Sequence, residues 1–371
     1  MNPSHQMSSV SFILKCTRNC NLRCRYCKDW RNKNSNNIDI PQLASFFKDL
    51  SSINTLKEIN FIWHGGEPLL QGLSYFRKVY FLQNQIFKTI AIRNILQTNG
   101  TLVDEDWANH FAEYNFSIGV SLDGFEETHN KNRIYSNLKG SFSDSLSGIK
   151  LLKKQNIQFG VLTVISEDLL RIGPEKLIDF YLENNIYKYA FLSLRKKWKN
   201  SADALLYNFN YGQFISKALN YWLSKDNLDI SIRELDSKMD LVFNIPGRVC
   251  KDSGPCVGKY FGFEPSGDIY HCDKFINDDR FFFGNVKQNT ISAILSSKKL
   301  QEAQQIENDI RSKCKLCKWY NMCKGGCLSD LIELEMMGGK RGTADCQNYS
   351  IYEHLSEYLI NYFLTSELKF K

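Results

Sequence analysis

Cys20-Asn21-Leu22-Arg23-Cys24-Arg25-Tyr26-Cys27 sets three thiols in a C-x3-C-x2-C spacing on one short stretch. The triplet is one ligand short. A cubane [4Fe–4S] cluster has four irons, each normally taken by one protein cysteine. Three thiolates on one loop leave the fourth iron open to a small molecule, and an open iron can pass a single electron into a reducible ligand. The bland alternative is a zinc knuckle, whose ligands usually come as two C-x2-C pairs or as Cys/His mixtures. That reading lacks a fourth ligand within the loop.

With Tyr26 just before its last cysteine, the triplet resembles the signature of the radical S-adenosylmethionine (SAM) enzymes. The surrounding pattern suits a loop of that kind. Residues 9–15 read as a strand delivering the triplet, and further strands are expected at 58–64, 92–97, 116–122, 157–165 and 187–194. Helical patterns fall near 40–52, 71–87, 104–114, 142–155 and 174–184. Six strands alternating with helices predict parallel βαβ units, an α/β fold, and a partial (β/α)6 barrel of the TIM type. In such barrels the chemistry sits on loops at the C-terminal strand ends, and the triplet follows the first strand.

After about residue 195 the pattern changes. Segments 211–225 and 233–243 read as helices, 247–348 is rich in cysteine and glycine with little periodicity, and 350–366 is an amphipathic helix candidate. The expected division is a barrel over 1–200, a helical bridge over 201–246, a cysteine-rich extension over 247–348 held by metal more than by apolar packing, and a C-terminal helix over 349–371.

The 371 residues, 43% hydrophobic and 13% aromatic, are enough for a sizeable core and exclude global disorder. No apolar run nears the roughly 18 residues of a membrane span, and Met1 to Val10 lacks the form of a signal peptide. A cytoplasmic protein is expected, with neither membrane nor nucleic acid as partner. The net charge of +7 is modest and no nucleic-acid motif accompanies it. Twelve cysteines in a reducing compartment point to metal rather than disulfides.

Eight of them form a second field: Cys250, Cys256 and Cys272, then Cys314, Cys317, Cys323 and Cys327, then Cys346. Eight ligands suffice for two fully ligated cubanes, and a structural zinc pair stays open on spacing alone. Cys16, left over at the end of the first strand, reads as a small buried residue. The array resembles the SPASM extension of radical SAM enzymes, closest to the anaerobic sulfatase-maturing enzymes and neighbouring peptide-modifying maturases. The resemblance implies three [4Fe–4S] clusters. Cys250, Cys256, Cys272 and Cys327 would hold one auxiliary cluster, and Cys314, Cys317, Cys323 and Cys346 the other.

Trp63-His64-Gly65-Gly66-Glu67-Pro68 follows the second strand and resembles the superfamily's GGEP motif. Alone it would be an ordinary turn. Beside the triplet, Gly65 and Gly66 would let the backbone approach SAM, and Glu67 would meet the ammonium of its methionine moiety. The resemblance adds Tyr26, Ser121, Arg133 and Leu194 as SAM contacts, with Arg133 suited to the carboxylate. It also makes Asp273, directly after Cys272, the base that takes a proton from the substrate. The plain reading of Asp273 is a turn cap.

Two departures stand out. Lys28-Asp29-Trp30 follows the triplet where sulfatase-maturing enzymes show aromatic residues, and His64 stands where several of them place glutamine. Both features lean toward maturases that crosslink side chains of ribosomally made peptides. The expected function is therefore oxidative modification, by crosslinking, of a peptide through a 5′-deoxyadenosyl radical; the alternative is conversion of Cys or Ser to formylglycine. A peptide or protein substrate and an electron donor such as flavodoxin or ferredoxin are the expected partners. Only 19 residues precede Cys20, too few for an N-terminal leader-binding domain. An acidic leader would instead dock on Arg195-Lys196-Lys197-Trp198-Lys199.

Overall fold

A strand covered on both faces reads as a nearly unbroken apolar run, and β1 (Ser9–Thr17) is buried along almost its whole length. The structure, a computed structural model, describes residues 7–31, 37–195 and 199–367. β2 (Glu58–Gly65), β3 (Ala91–Thr98) and β4 (Ser117–Ser121) pair in parallel beside it. Helices Ile40–Ser51, Leu73–Ile86 and Glu105–Glu113 make the connections. The first begins where Asp39 accepts a hydrogen bond from the Gln42 amide at 2.7 Å, with Pro41 in its first turn. It buries Leu43, Phe46, Phe47 and Leu50, one stripe at helical spacing. β5 (Phe159–Ile165), β6 (Lys188–Ser193) and the two-residue β7 (Ser231–Ile232) are again parallel neighbours.

The chain divides into two compact units. The first comprises Met1–Leu122, His129–Gly160 and Cys256–Ile306; the second comprises Asp123–Thr128, Val161–Pro255 and Glu307–Lys371. In the first unit the strand order is β10-β9-β8-β1-β2-β3-β4, where β8 is Tyr260–Phe263, β9 is Asp268–His271 and β10 is Phe282–Asn285. β8 runs parallel to β1, and β9 and β10 return antiparallel.

All six expected strands form, and the fold is the α/β, mostly parallel type they implied. Residues 256–306, expected to be held by metal more than by apolar packing, also contribute apolar packing and the pairing of β8 with β1. Phe261 and Phe263 are fully buried; Phe263 lies 4.7 Å from Phe46, and Phe261 lies 5.3 Å from Phe12. Each such ring contributes about 1.5–3 kcal/mol by burial alone. Four-residue strands with a glycine in each of β8 and β10 carry too little periodicity to be read in advance.

The second unit packs around Tyr181, Tyr189, Phe191 and Tyr211. Tyr211 donates to the Phe191 carbonyl at 2.7 Å from helix Ser201–Ser224, which fixes that helix against β6. No helix among the described residues is long and apolar enough to cross a membrane.

His110 stands among Trp107, Phe111, Tyr114 and Phe116, with neither ring nitrogen hydrogen-bonded. Burial pushes its pKa down to about 4. The unfolded chain therefore binds the proton first, and stability falls as pH drops from 6.5 toward 4. His110→Phe should remove that part of the acid slope and stabilise the neutral-pH protein by about 1–3 kcal/mol, as two unpaired nitrogens disappear. Urea melts at pH 5 and 7.5 decide it; an unchanged slope sinks the idea.

Candidate active site

The triplet loop leaves β1 and is tied to residues 132–134: the Arg23 amide donates to the Ile134 carbonyl at 2.6 Å, and Arg25 to Asn132 at 2.9 Å. Burial pushes the Cys20 thiol up to about 12 against the Leu22 amide, which donates to its sulfur at 3.4 Å, and the charges of Glu67, Cys24 and Cys27 add to the rise. Burial raises the Cys27 thiol as well, so these two thiols do not ionise unaided at neutral pH. A metal cluster, which binds thiolates and neutralises them, fits that donor set.

Gly65 and Gly66 are required by the triplet's own loop. A Cβ on Gly66 would stand 1.9 Å from the Asn19 carbonyl oxygen, and one on Gly65, at φ +124°, 2.3 Å from that of Thr17. The close backbone approach is thus to residues 17–19, sealed by Gly66 and Glu67 amides donating to Thr17 and Asn19 at 2.8 Å. Glu67, 1% exposed, accepts from Thr98 Oγ1 at 2.7 Å, the Asn99 amide at 2.8 Å and the Leu69 amide at 3.1 Å. Burial still pushes its carboxyl up to about 7. A ligand ammonium there would restore the ionised form.

Asn99 also donates to Asn21 inside the triplet at 2.8 Å, so the loops after β1, β2 and β3 form one hydrogen-bonded set. Ser121, at the end of β4, accepts from Gln97 at 3.0 Å. The Arg133 guanidinium lies 5.5 Å from the centre of the Tyr26 ring. Tyr26, Gly65, Gly66, Glu67, Ser121 and Arg133 all belong to the first unit. Leu194 belongs to the second, where its amide donates to Tyr207 Oη at 2.6 Å.

Asp273 opens the turn after β9, and Cys272 before it adopts φ 43° and ψ −179°. A non-glycine residue rarely holds that backbone, and such strain gathers at functional sites. Gly262 permits it, since a Cβ there would lie 2.6 Å from the Cys272 carbonyl oxygen. Asp273 faces a buried cation that sequence reasoning missed. Lys15 is 1% exposed and has its Nζ 2.8 Å from His64 Nδ1, 3.1 Å from Asp29 and 3.9 Å from Asp273. Arg18 bridges Asp29, at 2.5 Å, to Glu264. Burial opposes charge on Asp273 more than any single neighbour favours it, but Lys15, His64 and Lys274 together hold the carboxyl below its ordinary range. Burial, reinforced by Lys15, pushes His64 down to about 4, so its ring is neutral, with Nδ1 as acceptor and the proton on Nε2. A lysine at the inner end of an apolar strand was the one available signal.

Cys16 is fully buried with its thiol on the His64 carbonyl, a packing role as expected. Among the second cysteine field, Cys256 and Cys272 lie in the first unit, and Cys250 and Cys327 in the second. Cys314, Cys317, Cys323 and Cys346 line one pocket walled by Trp319, Tyr320, Tyr349 and Tyr352. Among the described residues no three His, Cys, Asp or Glu close on a point as ligands of a single ion do. A ring of four cysteines around a larger space fits a cluster. Arg195 is engaged by Ser329, Asp330 and Glu333; Lys196, Lys197 and Trp198 lie outside the described residues.

Residues 14–169 match the profile of the radical SAM superfamily, and 255–324 that of the SPASM iron–sulfur cluster-binding domain. A cysteine-type anaerobic sulfatase-maturating enzyme of Clostridium novyi is 30% identical over 338 residues, 86% of this chain and 88% of the relative. A serine-type enzyme of Klebsiella aerogenes is 30% identical over 323 residues, 84% and 78% of the two chains. Among solved structures, native anSMEcpe with bound AdoMet and Cp18Cys peptide superposes with a TM-score of 0.80 at 27% identity, covering 95% of this chain and 98% of that one.

Three clusters require about twelve irons per chain after anaerobic reconstitution. Alanine at Cys20, Cys24 and Cys27 together should remove about four of them and abolish SAM cleavage, leaving the other eight. Iron and zinc analysis with a 5′-deoxyadenosine assay checks this. About four irons with stoichiometric zinc would make the second field a zinc module.

Proposed function

Because the chain belongs to the SPASM-bearing radical SAM enzymes, in the family of the anaerobic sulfatase-maturating enzymes, we propose that it oxidises a Cys or Ser side chain of a polypeptide substrate to formylglycine. The observation that carries the reading is the likeness to cysteine- and serine-type maturating enzymes along more than four fifths of the chain. Crosslinking, the expectation drawn from Lys28-Asp29-Trp30 and His64, has weaker support. Asp29 and His64 both contact Lys15, which also faces Asp273. The two departures are one coupled rearrangement around the proposed base, and they do not require a different reaction.

Cys20, Cys24 and Cys27 would hold the cluster, which with bound SAM would supply the 5′-deoxyadenosyl radical chemistry needed to take a hydrogen atom from the substrate Cβ. The protein's part is to hold and to move a proton. Arg133 suits the SAM carboxylate, Glu67 its ammonium, and Tyr26, Gly65, Gly66, Ser121 and Leu194 complete the contacts read from the sequence. Asp273, held ionised by Lys15, His64 and Lys274, takes the proton of the substrate thiol or hydroxyl. The remaining electron would leave through an auxiliary cluster, and a Cys substrate would then exchange its sulfur for water oxygen with release of sulfide. Neutral His64 offers its Nε2 proton as a donor to a substrate acceptor. The eight remaining cysteines are assigned to the two auxiliary clusters, and a flavodoxin- or ferredoxin-type carrier is the proposed electron donor.

The test is incubation of reconstituted enzyme with SAM, reductant and a Cys- or Ser-containing peptide, read by mass spectrometry and hydrazide capture. An aldehyde at the Cys or Ser supports the proposal; loss of two hydrogens with no aldehyde and an unsequenceable segment means crosslinking.

Two variants separate the roles. Asp273→Asn should retain SAM cleavage and lose product by about 10²–10⁴-fold. Lys15→Met should uncouple the two by roughly 10–100-fold through misplacement of Asp273, with partial rescue in Lys15→Arg. Equal losses of SAM cleavage and product would reduce Lys15 to a structural role.

A further inference from the structure

The cavity ringed by Cys314, Cys317, Cys323 and Cys346 has two polar neighbours that are not ligands, and both direct N–H groups at its sulfurs. Asn348 Nδ2 donates to Cys323 Sγ at 3.4 Å. Arg341 Nη1 lies 3.9 Å from Cys314 Sγ. Neither side chain is loose. The Asn348 amide oxygen accepts from Lys238 Nζ at 3.4 Å, so its NH2 must face the sulfur. Lys238 is itself 1% exposed, 3.3 Å from Asp252 and 4.5 Å from the centre of the Tyr352 ring. Arg341 is fixed by the Ile310 carbonyl and by Glu335 at 2.8 Å.

A buried lysine–aspartate pair is costly and weak as a source of stability. Here it orients one amide. We propose that Asn348, oriented by Lys238, together with Arg341, raises the reduction potential of the cluster held by these four cysteines and so makes it the readier electron acceptor. N–H···S bonds draw electron density from the thiolates and favour the reduced cluster, which carries one more negative charge; the Arg341 cation acts in the same sense. The inference rests on the iron–sulfur assignment made under the proposed function, and it names the residues that tune one cluster.

The experiment is an EPR-monitored redox titration of the full-length, anaerobically reconstituted protein. Asn348→Asp keeps an acceptor for Lys238 and replaces the donor facing Cys323 with a carboxylate oxygen. It should lower the potential of one cluster by at least tenfold in equilibrium constant, which is 59 mV for one electron. Arg341→Gln, which removes the cation, should lower the same potential and serves alone if the first variant fails to hold its iron. The remaining two clusters should not move, nor should SAM cleavage driven by excess chemical reductant. Full iron with all potentials unchanged in both variants overturns the proposal and leaves the cluster assignment standing. Wild-type protein with only about eight irons overturns both.

Discussion

A single buried ammonium organises the first unit's chemistry. Removing a lysine from water costs several kcal/mol unless charge and hydrogen bonds replace the lost hydration. Lys15 meets that demand with His64 at 2.8 Å, Asp29 at 3.1 Å and Asp273 at 3.9 Å. These partners come from β2, from just beyond the triplet, and from the turn after β9. Their positions must be mutually consistent or the cation is left unpaired. The same ammonium sets the tautomer of His64 and, with His64 and Lys274, favours the ionised form of Asp273.

The second constraint is steric. The loop after β2 passes so close to residues 17–19 that no Cβ fits on Gly65 or Gly66. Glu67 then locks onto Thr98 and Asn99, and Asn99 onto Asn21. Three strand ends become one rigid rim around the triplet. Rigidity there suits radical chemistry, in which a reactive carbon must meet one hydrogen atom and little else.

In the second unit the cysteine cavity is dressed differently. Two of its thiols face side-chain donors, the Arg341 guanidinium and the Asn348 amide, whereas Cys20 takes its N–H from the Leu22 backbone amide at 3.4 Å. A side-chain donor can be exchanged without moving the loop that carries the sulfur; a backbone donor cannot.

The six core strands and their helices were legible because each is local: apolar alternation, an Asp39 cap, a stripe such as Leu43, Phe46, Phe47 and Leu50. The triplet was legible because ligand spacing is itself a sequence property, whereas the grouping of the later cysteines came from the resemblance to the SPASM extension and not from their spacing. β8, β9 and β10 were not, being four residues long and stabilised by pairing with β1 and by rings such as Phe46, some two hundred residues away. Nor was the role of Lys15, which in a sequence is one more cation at a strand end. His64 and Asp29 looked like evidence for a different reaction until the fold brought them to the same ammonium. Periodicity and spacing belong to the chain alone, but the energy of a buried charge depends on what tertiary packing places within about 4 Å of it.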